Sequence, residues 1–403
     1  MRFVVLAHVS VAAAFLAIAA CEDDATVEPG PLPDASSDAT APTDAPADSS
    51  TPIDAGTPAD WTKITWEILP SLPLDGVRAG SECDVAVDAN DHVLVTYGEA
   101  ADGYAAPRSL GVFRHDGTAW SLLGGTPLVP DSGSISGWPR LAVSKDGTVF
   151  IAYNHQGPRV ARFAANTWTE LPAPPFTSVW GIAVDSANMP SVIGDNTDVA
   201  RQLSRFDGAS WGAPTAPLTS FDASGTFLLN GVLAVAPRGD GLVALVRAGS
   251  PKLAPYTFTN NSWAPLGAEI ADNAEFPEIS AQGNGHLSAS WSAGNNVFAA
   301  RFDPATQSFV SLGGAIGGPD SRYAVTAIDA FNRPFVAWRQ PTDPLEVSIF
   351  VDGAWQALPN PGVVRSTLPA IAIDRNGLPV LCFEAGRDAG IASQIFVARG
   401  VIK

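Results

Sequence analysis

An aromatic residue closes a strand-like run seven times along this 403-residue chain, at Trp66, Trp120, Trp168, Trp211, Trp263, Phe309 and Trp355. The mean spacing is about 48 residues. Self-similarity at a period of roughly 20–50 residues marks a repeat architecture, in which each unit buries its apolar face only by stacking on its neighbours.

A second series runs beside the first. It reads CDVAVDANDHVLVTY (83–97), RLAVSKDGTVFIAY (140–153), GIAVDSANMPSVIG (181–194), VLAVAPRGDGLVALV (232–246), EISAQGNGHLSASW (278–291), VTAIDAFNRPFVAW (325–338) and AIAIDRNGLPVLCF (370–383). Each copy is two short alternating apolar segments around an Asp, Asn or Gly turn, which is the pattern of a hairpin. Between copies lies the aromatic motif, as in GVFRHDGTAWSLL (111–123) and SIFVDGAWQAL (348–358), a second hairpin. Two hairpins per period make the four strands of one propeller blade.

Side-chain size separates a propeller from a sandwich. The first strand is small at its centre in every copy (Ala86, Ala142, Ala183, Ala234, Ser280, Ala327, Ala372), and the large aromatic always falls on the fourth. Radial sheets converge at the axis and splay at the rim, so this gradient fits them, whereas sandwich sheets keep a constant spacing. The seventh copy supplies only a third strand, ASQIFVARG (392–400), and KITWEIL (63–69) matches the missing fourth. The expected fold is therefore all-β, a seven-bladed β-propeller spanning 61–403 whose N-terminal strand completes the last blade and protects its edges.

The N-terminus carries a different signal. Arg2, an apolar stretch from Phe3 to Ala20, and small residues before Cys21 describe a secretory signal peptide over 1–20. Ile18-Ala19-Ala20-Cys21 resembles the bacterial lipobox. The resemblance implies lipidation at Cys21 and an envelope location anchored in the membrane, with palmitate-type acyl chains. Glu22 in place of Asp after that Cys implies the outer membrane. Two or more chains, at about 0.8 kcal/mol per buried methylene, hold stably where one does not. The segment following Cys21, up to residue 60, holds ten acids, no Lys or Arg, no aromatics and many prolines. It reads as an extended, disordered tether. Of the formal charge of −18, the tether carries −10 and Arg2 +1, which leaves −9 for 61–403. An acidic head has no electrostatic footprint for nucleic acid.

Two cysteines remain, Cys83 and Cys382, in blades that a closed ring makes neighbours. They are the candidate disulfide; the alternative is that Cys382 simply packs in a column shared with Ala152, Ala337 and Ser290. Long connections such as 124–138, 214–231, 266–277 and 313–323 fall on one rim, and tight turns such as Asp116-Gly117 on the other. Binding residues concentrate on long loops over a rigid scaffold. On that rim Trp138, Trp180 and Tyr323 are candidate aromatic platforms, and Arg140, Arg322, Arg339 and Arg387 candidate clamps, with Glu384 and His155 beside them. Aromatics stack on sugar faces and anchor protein partners, and Arg forks carboxylates. The column Tyr97, Tyr153, Trp291, Trp338 and Phe383 reads as packing.

Catalytic and metal signatures are weak. The turns DAND (88–91) and DRNG (374–377) lack the further acidic ligands of a calcium loop. HExxH is absent. A sialidase-like glycoside hydrolase is the enzymatic alternative, but RHDGTAW and RFDGASW place Asp and Gly adjacent, unlike the spaced sialidase box. The chain most resembles bacterial lipoproteins carrying seven-bladed propellers with YxxDGxxW and IAxDxxGxPxVAW-type repeats. That resemblance implies fold and location and no activity. The expectation is a non-catalytic envelope protein, without metal or cofactor, that binds a glycan or protein ligand; a scaffold within an envelope assembly is the third reading.

Overall fold

A computed structural model describes residues 57–73, 79–100, 109–129, 135–196, 200–215, 230–239, 241–248, 252–259, 262–340, 345–362, 367–385 and 394–403. Cys21, the expected leader, most of the expected tether and Arg387 lie outside the described residues, as does the side chain of Trp138.

The first strand, β1 (Ile64–Ile68), precedes the blades. Blade 1 comprises β2 (Ala79–Val87), β3 (Val93–Ala100), β4 (Leu110–His115) and β5 (Trp120–Leu122). Blade 2 comprises β6 (Ile135–Val143), β7 (Val149–His155), β8 (Pro158–Ala164) and β9 (Thr167–Glu170). Blade 3 has β10 (Ser178–Val184), β11 (Pro190–Asp195) and β12 (Ala200–Arg205). Blade 4 has β13 (Asn230–Arg238), β14 (Gly241–Ala248), β15 (Lys252–Thr259) and β16 (Ser262–Pro265), with β17 (Ala271–Asp272) beside β15. Blade 5 has β18 (Glu275–Ala281), β19 (Leu287–Ala293), β20 (Asn296–Asp303) and β21 (Ser308–Ser311). Blade 6 has β22 (Arg322–Ile328), β23 (Pro334–Arg339), β24 (Glu346–Val351) and β25 (Ala354–Ala357). Blade 7 has β26 (Thr367–Ile373), β27 (Pro379–Ala385) and β28 (Gln394–Ile402).

These are the seven blades of a β-propeller. Consecutive strands within each pair antiparallel, and β1 adds to blade 7 in the order β1-β28-β27-β26, from Ile64 opposite Ile402 to Ile68 opposite Ala398. The closing strand is thus the one that KITWEIL matched. Two features depart from the simple repeat. Blade 3 reduces its fourth strand to a single bridge between Phe206 and Trp211. Its third strand, β12, also joins β13 of blade 4 by a two-residue parallel pairing, Ala200 with Asn230 and Arg201 with Gly231.

The core lies between blades rather than within one layer. Seven hydrophobic clusters occupy the seven interfaces, for example Val95, Tyr97, Ala370 and Cys382 between blades 7 and 1. The column Tyr97, Tyr153, Trp291, Trp338 and Phe383 is buried, at 5% exposure or less. Cys83 and Cys382 are joined as a disulfide across the interface between blades 7 and 1.

The rim aromatics do more than fill space. All but Trp66 pack on a ring five to seven residues earlier in the hairpin, as Trp168 does on Phe163 and Trp355 on Phe350. In five of the six tryptophans the indole N–H then donates to a backbone carbonyl that follows the fourth strand of the preceding blade, whereas the buried Nε1 of Trp263 has no partner among the described residues. Trp120 reaches Pro70 at 2.7 Å, Trp168 Leu123 at 2.8 Å, Trp211 Pro172 at 2.6 Å and Trp355 Leu312 at 2.8 Å, and Trp66 reaches Pro359. Phe309 has no such donor.

The turns on the tight rim are held by their own aspartates. Asp88, Asp185, Asp329 and Asp374 each accept backbone N–H groups two and four residues ahead. Asp-led turns are pre-formed in this way, and the second oxygen contacts the His92 ring in Asp88 and pairs with Arg205, Arg333 and Arg399 in the other three. Their oxygens are committed to the fold. Just ahead of residue 61, Asp60 caps the 3₁₀ turn Trp61–Lys63 and the Ala59 carbonyl accepts from Arg333.

Candidate functional site

The first strands of all seven blades wall a central channel. At the end where these strands begin, on the long-loop rim, the channel opens into a cavity of about 560 Å³. One position explains its chemistry. Four residues before the turn that opens each first hairpin, the seven repeats carry Asp84, Arg140, Gly181, Val232, Glu278, Val325 and Ala370. Four of these are Gly, Ala or Val, and three are charged. Asp84, Arg140 and Glu278 therefore put charge into a wall that is otherwise small and apolar, and all three line the cavity.

Arg140 of blade 2 and Glu278 of blade 5 meet across the channel at 3.6 Å. Glu278 keeps 37% of its side chain open to channel water while protein crowds the rest. That burial pushes its carboxyl above the ordinary range, against the attraction of Arg140 and with a further push from Asp84. Asp84 is raised for the same reason, partly opposed by Arg140 and by the N–H groups of Leu141 and Val85, which its oxygens accept at 2.8 and 3.0 Å.

A second cation enters from an unexpected strand. Arg201, at the start of β12, lays its guanidinium 4.6 Å from the centre of the Trp180 ring. The indole is pinned in turn: its N–H donates to Asp195 at 2.6 Å. Burial lowers the Arg201 pKa, partly opposed by the attraction of Asp195 and Glu278. Its buried Nε has no hydrogen-bond partner, and no ion pair is formed by its guanidinium among the described residues.

Blades 5 and 6 contribute an aromatic pair. Phe276 and Tyr323 meet with ring centres 4.6 Å apart, and Phe276 is 44% exposed. Both sit in the left-handed region, at φ +48° and +56°, where their strands bulge between Glu275 and Glu278 and between Arg322 and Val325. A bulky residue held there costs about 1–3 kcal/mol, a form of strain that clusters at ligand clamps. The Arg339 guanidinium lies 5.7 Å from the Tyr323 ring.

Of the residues expected from sequence, Arg140, Trp180 and Tyr323 line the cavity, with Arg339 behind Tyr323. Arg322 turns instead to the Asn295 side chain at 2.7 Å. Glu384 is buried in β27 opposite Thr367, and neither it nor His155 lines the cavity. Asp84, Glu278, Arg201 and Phe276 were not among the expected residues. The first two are visible in the aligned repeats as charges in an apolar column; Arg201 and Phe276 leave no such mark. Among the described residues, no group of three or more His, Cys, Asp or Glu side chains is placed to hold a metal ion.

No protein-family model matches the chain, and no curated protein sequence matches it. Solved structures do. A fungal alcohol oxidase of the AA5 family, solved in complex with copper, is 13% identical, with 84% of this chain and 76% of its own covered at a TM-score of 0.59. Virginiamycin B lyase from Staphylococcus aureus is 11% identical over 84% of this chain and 100% of its own, at 0.54. A protein of unknown function from Dyadobacter fermentans is 12% identical over 85% and 100%, at 0.52. At such identities the likeness is one of fold alone.

Proposed function

We propose that this chain is a lipid-anchored protein of the bacterial envelope, held at the outer membrane through Cys21. Its propeller captures an extracellular or periplasmic ligand, a glycan in preference to a protein, at the channel mouth. The observation that carries the binding reading is the recessed cavity of about 560 Å³, with charged and aromatic side chains converging on it. Ligand sites are concave, largely pre-formed, and equipped with a few placed polar groups. A narrow recess suits a sugar chain better than the broad face of a protein. The anchor reading rests on the lipobox-like run before Cys21, and the buried disulfide accords with export to an oxidising compartment.

Two experiments test the two halves. Palmitate should label the expressed chain in the membrane fraction and Cys21→Ala should release it; unlabelled or soluble wild-type protein would remove the anchor. The Cys21→Ala chain, probed against bacterial and host glycans, should give a saturable hit that Trp180→Ala abolishes. Silence across the array would move the assignment to a protein partner, to be found by cross-linking. The raised carboxyls of Asp84 and Glu278 favour one second reading, glycoside hydrolysis, which needs a protonated carboxyl beside an ionised one. Turnover of an array hit, lost in Glu278→Gln, would establish it.

A further inference from the structure

We infer that Arg201 is the anchor for a ligand carboxylate, and that the ligand captured at the channel mouth is an acidic sugar stacked on Phe276 and Tyr323. This rests on the binding reading given above and names its ligand class.

The argument begins from partners. Apart from Glu275, the other charges at the cavity have partners. Glu278 pairs with Arg140, Asp84 accepts two backbone N–H groups, and Asp195 accepts from Trp180. Arg201 lies over the face of Trp180, makes no ion pair among the described residues, and has its Nε buried without an acceptor among them. A buried guanidinium N–H left without a hydrogen bond costs stability unless something completes it. Its planar fork fits a carboxylate through two parallel bonds. A single cation without an ion pair among the described residues, with Glu278 and Glu275 lining the same cavity, suits a monoanion better than a doubly charged phosphate.

The aromatic pair supplies the second half. Phe276 and Tyr323 line the same cavity and are held toward it by strained bulges. Stacking on the apolar face of a sugar ring uses such surfaces. A cavity of this size holds two or three sugar units, so one ring can rest on the aromatics while its carboxylate, or that of the next unit, reaches Arg201.

Calorimetry on the Cys21→Ala chain tests this with two acidic probes. Tri-galacturonate is compared with its methyl ester, and 3′-sialyllactose with lactose; inorganic phosphate and sulfate serve as plain anions. At least one acidic sugar should bind, and its ester or neutral counterpart should bind about 10–100-fold more weakly, the range of a charged hydrogen-bonded contact. Arg201→Gln should cause the same loss, and Arg201→Lys, which keeps charge but not the fork, an intermediate one. Unchanged near-ultraviolet circular dichroism shows that each variant is folded.

Equal binding of acid and ester, or full affinity in Arg201→Gln alongside loss in Tyr323→Ala, would overturn the carboxylate anchor and leave a neutral-glycan site standing. Phosphate or sulfate competing as well as the acidic sugar would overturn the sugar. If neither acidic sugar binds, the inference fails, and if the glycan array is silent too, the binding reading fails with it.

Discussion

At the scale of single residues, the indole N–H is the repeat's least expected tie. Trp120 donates to the Pro70 carbonyl, which follows the ring-closing strand, so one bond joins blade 1 to the chain completing blade 7. Trp120→Phe keeps the ring and deletes the donor. It should lower unfolding free energy by about 1 kcal/mol, read as a lower urea midpoint at unchanged slope. Asp84 poses the opposite case. Its carboxyl is pushed up chiefly by burial, so its ionised form opposes folding. That penalty is absent below an unfolded value of about 3.9, grows as pH rises through the raised folded value, and is complete above it. Asp84→Asn can still accept from Leu141. It should melt higher than wild type at pH 7, with the difference closing as pH falls toward 4; a constant difference would mean that the carboxyl is not raised. These two residues also show what the sequence could display. The tryptophans advertise a period but not their acceptors, which are backbone carbonyls some 40–50 residues away. Asp84 stands out because four of the six other aligned repeats carry Gly, Ala or Val at its position. Arg201 does not, because it reaches the channel from a third strand, where no aligned column predicts an inward charge.

Among the elements, the N-terminal strand was legible because it obeys a repeat rule far from its partners. KITWEIL is a fourth strand lacking its first three, and β28 is a third strand lacking a fourth. Blade 3 was less legible. Its fourth strand shrinks to one bridge, and its third takes a parallel partner in blade 4, a pairing that no local pattern encodes. The exchange has a use, since the β12–β13 contact holds Arg201 at the rim. Removing residues 57–69 should be costly. Ile64 and Leu69 are 2% and 6% exposed, and at about 1.5–3 kcal/mol for each buried aliphatic side chain their loss removes several kcal/mol. The edge of β28 would be left open as well. The truncated chain should melt well below wild type and be cut by protease within blade 7 first. An unchanged melt would mean that β1 does not hold the ring shut.

For the whole molecule, closure is the decisive step, since an open ring leaves the blade 7–blade 1 interface without one of its walls. Three kinds of bond meet there. The disulfide joins Cys83 and Cys382, 299 residues apart in sequence. The hydrophobic cluster around Tyr97 and Val380 fills the interior. On the tight rim Arg399 bridges Asp374 of its own blade and Asp91 of blade 1, while Arg375 donates to the Asp91 side chain and the Ala89 carbonyl. Of these only the disulfide restrains the unfolded chain, and for so long a loop the chain-entropy effect is on the order of 5 kcal/mol. The β1 strand acts on the other side of the same blade, so the two devices share one task. Cys83→Ala with Cys382→Ala should lower the melting temperature more than Trp120→Phe does, and reductant should reproduce the shift in the wild type. Combined with removal of residues 57–69, the loss should exceed the sum of the two, because either latch alone keeps blade 7 seated and neither remains. Strict additivity in that double-mutant cycle would mean that the latches act independently and that blade 7 stays seated by packing alone.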